Sequence, residues 1–343
     1  MPSDGRPLIA VAMGDPSGIS PELTARILAE PDLRAAARTV VFGDRRLLEL
    51  GIADSGVDPG VRVVRDGDPL PADADGPILV DLANHDPAEL RRGRATLAGG
   101  TAATQNFRRA LRLAAAGEAD AVFFTPFNKA AMRMAYPGYD DEIRFVRDAI
   151  GFEGAASEFN VLDGLWNARV TSHVPLSEVA KNITHERILR ALTLTHASLR
   201  TAGFDPARIA VAGLNPHAGD GGNFGREEIE VIGPAVEAAK AQGFAVEGPF
   251  PSDTVFLRAR NGDFDAVLTM YHDQGQIAMK LIGFDRGVTL IGGFPFPICT
   301  PAHGTAYEIA GKGTANLGAT RAALSLAIEM AQGRQAAPEA RPA

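Results

Sequence analysis

The sequence predicts an α/β protein built on a largely parallel sheet. Short apolar runs alternate along its 343 residues with longer segments of helical period, and these runs end in glycine, proline, asparagine or histidine. Glycine and proline number 37 and 23, which suits the tight turns that join strands to helices. This alternation is typical of successive βα units. The length predicts about two domains with an ample core.

The first βα unit is predicted as a strand over 8–12, a loop over 13–19 and a helix over 20–29. Ser20 is expected to be the helix N-cap, with Pro21 at the first helical position. Residues 51–77 are expected to form an irregular surface excursion around one short strand, and 332–343 a frayed tail. Further strands are predicted at 39–42, 78–81, 121–125, 168–172, 209–214 and 266–270. Further helices are predicted at 100–117, 176–181, 188–201, 226–242 and 315–330.

Composition excludes several classes of function. The net charge of −8 and the lack of a Lys/Arg cluster argue against nucleic-acid binding and against an anionic membrane surface. The single cysteine, Cys299, cannot form an internal disulfide or a thiolate zinc module. We find neither a secretory signal nor an apolar run long enough to cross a bilayer. A cytoplasmic enzyme is therefore expected.

Three histidines share one context, just beyond the end of a predicted strand. His173 closes ARVTSH, His217 closes IAVAGLNPH and His272 closes DAVLTMYH. Ligands bind at this edge of open α/β sheets, so three imidazoles there suit one divalent metal ion. Each histidine alone is better explained as a loop residue bonded to backbone, and the three together suit a loop role and a metal site equally. Asp273 and Asp253 are candidates to orient the imidazoles or to join the metal, with turn formation or capping as the alternative for Asp253.

Two glycine-rich segments and one lysine are further candidates. The glycines of NPHAGDGGNFG predict a tight loop that presents His217, since the acidic residues there disfavour a phosphate site. The later segment HGTAYEIAGKG suits a nucleotide, with His303 near the adenine or ribose. Neither the G-x-G-x-x-G fingerprint nor a Walker pattern is present in the sequence. Lys280 suits an anionic substrate or proton transfer, with a solvated surface lysine as the alternative.

The motifs LNPHAGDGG, PSDTVF and YHDQG, in this order, resemble those of the 4-hydroxythreonine-4-phosphate dehydrogenase (PdxA) family of pyridoxal phosphate biosynthesis. The resemblance extends from the loop at 13–19 to HGTAYEIAGKGTANLGA. It implies the α/β/α fold of isocitrate and isopropylmalate dehydrogenases, with the active site in a cleft between two domains. The first domain is expected at 1–130 plus 286–335. The second, at 131–285, is expected to carry the metal histidines and the dimer interface, and 336–343 is expected to be a tail.

The resemblance also implies the members of the site. His173, His217 and His272 become the ligands of a divalent metal, either Zn or one of Mg, Mn, Co and Ni, beside Asp253 and Asp273. It further implies NAD or NADP as cofactor, and a homodimer in which each active site is built from both subunits. The implied cofactor-binding residues are His303, Gly304, Thr305, Glu308, Gly311 and Asn316.

The sequence departs from the family where the substrate phosphate is held. The family uses a His-Thr pair, a lysine, an asparagine and an arginine, whereas Asp140 and Asp141 fall in the stretch that should hold the pair. Lys280 remains, but Thr289 replaces the asparagine and Ile298 the arginine. Isoleucine offers no donor to phosphate, and two aspartates repel a dianion. We therefore expect retained chemistry with an altered substrate.

The function expected is metal-dependent, NAD(P)-linked oxidation of a 3-hydroxy acid with decarboxylation of the β-keto product. Related enzymes act on threonate-type sugar-acid phosphates and on a cis-dihydrodiol of terephthalate. The alternatives are a true 4-hydroxythreonine-4-phosphate or threonate-4-phosphate dehydrogenase, a non-redox acyl or phosphate transferase of the same general fold, and a catalytically silent binding protein.

Overall fold

The computed structural model describes residues 5–71 and 76–336 and divides into two compact units. Unit 1 comprises Met1–Gly154 with Val288–Ala343, and unit 2 comprises Ala155–Gly287. The structure thus places residues 131–154 in unit 1 and not in the second domain expected from the resemblance. Two contacts hold them there. The Gly100 backbone packs so closely on Ala131 that a Cβ would lie 1.9 Å from its carbonyl oxygen, and the Phe107 and Phe145 rings stack with centroids 5.4 Å apart.

The sheet of unit 1 is parallel except at one edge. Its strands run in the order β3-β4-β2-β1-β5-β12-β11, and only β11 pairs antiparallel, with β12. β1, β5 and β12 are wholly buried, as expected for strands covered on both faces. The strands are β1 Leu8–Ala12, β2 Arg38–Gly43, β3 Arg62–Arg65, β4 Ile78–Asp81, β5 Ala121–Phe124, β11 Val288–Gly292 and β12 Ile298–Pro301.

Most helices of unit 1 have clear terminal signals. A side chain caps the N-terminus of α3 (Asp44), α4 (Thr96), α5 (Asn128) and α6 (Asp141). The helices are α1 Ser20–Leu28, α2 Pro31–Ala36, α3 Arg45–Ser55, α4 Leu97–Ala115, α5 Lys129–Ala135, α6 Glu142–Ile150 and α12 Gly318–Ala336.

Unit 2 has a five-stranded sheet in the order β6-β7-β10-β8-β9. β10 pairs parallel with β7 on one side and with β8 on the other, while β6 is antiparallel to β7. Its strands are β6 Ser157–Leu162, β7 Leu165–Arg169, β8 Ile209–Ala212, β9 Val246–Phe250 and β10 Ala266–Thr269. Its helices are α7 Leu176–Asn182, α8 His185–Thr201, α9 Gly233–Ala241, α10 Val255–Arg260 and α11 His272–Gly283.

The predicted α/β alternation is confirmed, and β1 and β4 have the predicted bounds. Three local predictions are wrong. Ser20 is the first helical residue and not the N-cap, because its hydroxyl donates to the Pro126 carbonyl and Ile19 takes the cap position. The helix predicted at 226–242 is divided into a π-helical turn, Glu228–Ile232, and α9. The tail predicted from 332 is helical to Ala336, and residues 337–343 lie outside the described part. Within that part, no helix combines the length and the apolar character needed to cross a membrane.

Candidate active site

The three predicted histidines follow three neighbouring parallel strands of unit 2. His173 lies beyond β7, His272 opens α11 directly after β10, and His217 lies beyond β8. Because β10 is between β7 and β8, the loops that follow all three strands emerge at the same edge of the sheet. The prediction that these histidines lie at strand carboxyl ends is confirmed.

Hydrogen bonds tie the three loops together. The Thr171 hydroxyl donates to the Met270 carbonyl at 2.8 Å, which joins the loop of His173 to that of His272. The Gln274 side chain accepts from the Met270 backbone N–H at 2.7 Å and donates to the Gly213 carbonyl at 2.8 Å, which joins the loop of His272 to that of His217. The histidines therefore project from a backbone fixed by polar side chains.

Two of the imidazoles lie next to each other. The ring centroids of His173 and His272 are 5.5 Å apart. Two imidazoles that bind one tetrahedral zinc at about 2.1 Å would have centroids about 5 Å apart, so this pair fits a shared divalent ion. The Nδ1 of His272 is 2.7 Å from Oδ1 of Asp273, and its N–H donates to that carboxylate. This bond engages only Nδ1 of His272, and it holds the ring in one orientation.

His173 and His217 have unusual backbone conformations. Their φ angles are +49° and +53°, in the left-handed region that residues with a Cβ rarely adopt. His217 begins a left-handed turn that extends through Gly221, with the tight geometry that the glycines of this loop predict. Such strain costs about 1–3 kcal/mol per residue and occurs mostly at functional sites.

The remaining predicted residues of unit 2 are farther along their elements. Asp253 lies in an exposed turn before α10 and does not cap it, since the cap position belongs to Thr254. Lys280 is exposed on α11, about 12 Å along the helix axis from His272. Across residues 5–71 and 76–336, no group of three or more His, Cys, Asp and Glu side chains is arranged to hold one metal ion. A single chain thus brings together two of its three predicted histidines.

The acidic pair in unit 1 has structural partners. The Asp141 carboxylate accepts the Arg144 backbone N–H at 2.9 Å and caps α6, while Asp140 forms an ion pair with the Arg144 guanidinium. Thr289 is half-buried in β11, and Ile298 is fully buried in β12. The helix cap and the ion pair give Asp141 and Asp140 structural roles that need no contact with a substrate.

The predicted cofactor segment packs on the loop that follows β1. The Ile19 backbone N–H donates to the Thr305 carbonyl at 3.0 Å, and Gly18 packs against Thr305 with no room for a side chain. Gly304 and Glu308 are exposed, whereas Nε2 of His303 is buried without a hydrogen-bond partner among the described residues. An orphaned buried nitrogen beside exposed glycine backbone fits a polar ligand such as a nucleotide.

Two other members of this segment have local structural roles. Gly311, at φ +76°, lies under the Arg92 guanidinium, where a Cβ would overlap it. The Asn316 side chain accepts the Gly318 backbone N–H at 2.7 Å at the start of α12. These contacts fix the shape of the segment. Contact between these two residues and a cofactor stays a prediction.

A buried carboxylate under this segment is missing from the sequence-based predictions. Asp15 is fully buried and accepts the Tyr307 hydroxyl at 2.5 Å and the Ser17 backbone N–H at 2.9 Å. Burial raises the pKa of Asp15, and these two hydrogen bonds oppose the rise. His85 is also buried, and both of its ring nitrogens lack a hydrogen-bond partner within the described residues. The GDPSG loop was a signal for Asp15, but nothing in the sequence marked its burial.

The fold and the site together define an α/β enzyme with polar side chains at the carboxyl edges of parallel strands. The family model "Pyridoxal phosphate biosynthetic protein PdxA" matches residues 35–327, and the chain belongs to this family.

Relatives and a solved structure match nearly the whole chain. A protein of Rhizobium meliloti named "Putative 4-hydroxythreonine-4-phosphate dehydrogenase 2" is 63% identical over 331 residues, which cover 96% of this chain and 95% of the relative. D-threonate 4-phosphate dehydrogenase of Pectobacterium atrosepticum is 37% identical, with 94% and 99% covered. The crystal structure of 4-hydroxythreonine-4-phosphate dehydrogenase from Klebsiella pneumoniae has a TM-score of 0.82 at 36% identity, covering 95% of this chain and 98% of that one.

Proposed function

We propose that the protein is a divalent-metal-dependent, NAD(P)-linked dehydrogenase that oxidises a hydroxy acid and decarboxylates the β-keto product. The observation that carries the proposal is the pair of imidazoles, His173 and His272, facing each other 5.5 Å apart at a sheet edge where His217 also projects. The names of the relatives support the reaction class. They also disfavour a non-redox transferase.

The reaction has two balanced steps. The secondary alcohol loses its hydroxyl proton to a base and its carbon-bound hydride to the nicotinamide, which gives a ketone and NAD(P)H. The β-keto acid then loses CO₂, and a proton replaces it on the α-carbon. A divalent ion, when bound, stabilises the negative charge that develops on the substrate oxygen in both steps.

The chain's own residues prepare this chemistry. Asp273 holds the His272 ring through Nδ1, which leaves the Nε2 lone pair available to bind a metal ion. The nucleotide is proposed to bind the exposed backbone at Gly304 and Nε2 of His303, which is unpartnered in the described part of the chain. Lys280, on the helix that His272 opens, is proposed as the group that binds a substrate anion or transfers the proton, with Asp253 as a further candidate carboxylate.

The site is proposed to be completed by a second copy of the chain. Ten large hydrophobic side chains are exposed in the described residues, and seven of them belong to unit 2. Val174 directly follows His173, Phe224 has its ring centroid 6.2 Å from that of His217, and Ile277 lies on the helix of His272. Exposed apolar side chains in this number mark an interaction surface. Its proximity to the histidines suits a homodimer in which His217 of one subunit joins the pair of the other.

The substrate best supported by the relatives is a phosphorylated four-carbon hydroxy acid, 4-hydroxythreonine 4-phosphate or D-threonate 4-phosphate. One observation favours an unphosphorylated diol or hydroxy acid instead. Ile298 is buried in β12 where the family resemblance expects a phosphate-binding arginine, and Thr289 replaces an asparagine. Measuring NAD(P)H absorbance with each substrate class, before and after metal removal by a chelator, separates the two. Turnover of neither phosphate ester nor hydroxy acid with any divalent metal would contradict the proposed function.

Complementation between inactive subunits tests the shared site. His173→Ala and His217→Ala should each abolish activity, and their mixed dimers should regain one intact site. Random reassociation then gives about a quarter of wild-type activity. His173→Ala mixed with His272→Ala is the matched control and should regain none, since both ligands belong to the same subunit. No recovery in the first mixture, with mixed dimers verified by mass, would contradict sharing.

A further inference from the structure

Glu228 is a buried carboxylate that none of the proposed steps uses. It is 4% exposed and is the first residue of the π-helical turn Glu228–Ile232 in unit 2. Acidic side chains are rarely buried unless hydrogen bonds satisfy them, so its partners indicate its role.

The Glu228 carboxylate binds the chain directly before His217. Oε1 accepts the backbone N–H groups of Leu214 and Asn215, both at 2.7 Å. Oε2 accepts the Asn215 side-chain amide at 3.0 Å. These bonds use a charged acceptor, which makes them stronger than bonds between neutral groups.

The same carboxylate packs against the far side of the turn. A Cβ on Gly219 would lie 2.7 Å from Oε2, and a Cβ on Gly213 would lie 3.1 Å from Oε1. Glu228 thus contacts the backbone both before and after His217. The left-handed conformation of His217 and Ala218, at φ +53° and +52°, lies between these two points.

We infer that Glu228 is the positioning residue for His217: its carboxylate holds the left-handed turn and thereby fixes the direction of the His217 imidazole. The inference rests on the proposed function, in which His217 is a metal ligand. Residues that orient metal ligands typically change metal affinity by about 10- to 100-fold when replaced.

Glu228→Gln is the informative variant because it keeps the size and one oxygen. Its carbonyl can still accept the two backbone N–H groups, but its NH₂ would face the NH₂ of Asn215. Asn215 cannot simply turn its amide over, because its NH₂ also donates to Oε2 of Glu227 at 2.7 Å. Glu227→Gln is the matched control, since the Glu227 carboxylate accepts from the Asn215 side chain but not from the backbone N–H groups of Leu214 and Asn215.

The experiment titrates the metal-free full-length protein with Co²⁺ alone and follows the visible absorption of the ion. Glu228→Gln should raise the Kd for Co²⁺ by about 10- to 100-fold, while Glu227→Gln should stay within about threefold of wild type. Saturating metal should then return kcat of Glu228→Gln close to wild type, which a damaged fold would not allow. If Glu228→Gln does not fold, Asn215→Ala tests the same brace.

An unchanged Kd in folded Glu228→Gln, with a raised Kd in His217→Ala, would overturn the inference and leave the proposed function intact. An unchanged Kd in His217→Ala itself would remove His217 from the metal site, so that both this inference and the proposed site shared between subunits would fail.

Discussion

Replacing Tyr307 with Phe tests whether the buried Asp15 carboxylate joins the cofactor segment to the loop after β1. The change removes one hydroxyl that donates to Oδ2 of Asp15 at 2.5 Å and leaves the aromatic ring in place. Asp15 is fully buried, so water cannot replace the lost donor. A hydrogen bond to a charged buried group contributes about 1.5–3 kcal/mol, and we expect the free energy of unfolding to fall by that amount at pH values where Asp15 is ionised.

The pH dependence gives a sharper test. Because burial raises the pKa of Asp15 above its ordinary value of 3.8, the group stabilises the folded state most at low pH. This contribution is lost as the pH rises from about 4 through the folded-state pKa. Removing the Tyr307 hydroxyl removes a hydrogen bond that lowers the pKa of Asp15. The decrease in the free energy of unfolding is therefore largest at pH values where Asp15 is ionised. The loss should shrink to about 0.5–1.5 kcal/mol once the pH is low enough to protonate Asp15.

The assay is urea unfolding followed by circular dichroism between pH 4.5 and 8, with a KM measurement for NAD(P). Tyr136→Phe is a matched control, since the Tyr136 hydroxyl donates to the exposed Asp148 carboxylate and should contribute well under 1 kcal/mol. We also expect Tyr307→Phe to raise the KM for the cofactor, because Thr305 and Gly304 belong to the segment that Tyr307 holds. A loss of stability equal at all pH values, or larger at acid pH, would refute the reasoning about Asp15.

Three further predictions concern unit 1. Asp141→Ala should lower the free energy of unfolding by about 1 kcal/mol because it removes the α6 cap, whereas Asp141→Asn should keep the cap and the stability. Neither variant should change the KM for substrate, and a raised KM in both would indicate substrate contact instead. Asn128→Ala removes the bonds to two backbone N–H groups and should lower the free energy of unfolding by about 1 kcal/mol, which urea unfolding would show as a lower midpoint. An unchanged midpoint would contradict the contribution of this cap. Burial raises the pKa of the Cys299 thiol, so a thiol-specific reagent should modify it only after denaturation, and rapid modification of the native protein would contradict its burial.

The sequence predicts well what depends on hydrophobic pattern. Strands such as β1 and β4 are recognisable because continuous apolar runs in a parallel sheet end sharply at polar or glycine residues. The same reasoning locates His173, His217 and His272 at one sheet edge, since the position of a residue after a strand fixes the edge where it emerges. Family membership then follows from motifs that span most of the chain.

Two helices absent from the sequence-based prediction, α3 and α6, have recognisable terminal residues in the sequence. α3 begins after Asp44, whose side chain accepts the Arg46 backbone N–H, and ends at Gly56 in the left-handed conformation. α6 has the same arrangement, with Asp141 at its start and Gly151 at its end. An aspartate and a glycine about a dozen residues or fewer apart around an amphipathic run predict such helices. In α6 the family resemblance instead predicts a substrate-binding stretch, because it aligns Asp140 and Asp141 with the phosphate-binding pair.

Other features depend on tertiary contacts and had no local signal. The hydroxyl that donates to the buried Asp15 carboxylate belongs to Tyr307, 292 residues away in the chain. The bracing of the His217 turn is set by Glu228, which begins a π-helical turn where periodicity predicts an ordinary helix. In both cases a charged side chain is buried because particular donors surround it, and hydrophobic pattern carries no information about those donors.

Strand order alone does not decide which histidines bind the same ion. β10 is adjacent to β7 and to β8, so His272 has a neighbouring strand end on either side. The side-chain positions distinguish the two neighbours: the His173 ring lies 5.5 Å from that of His272, whereas His217 has the exposed Phe224 ring 6.2 Å away. An exposed aromatic ring beside a strained histidine is costly for an isolated chain, and contact with a second subunit would explain both features. The restoration of activity in mixed dimers therefore distinguishes a shared metal site from one contained in a single chain.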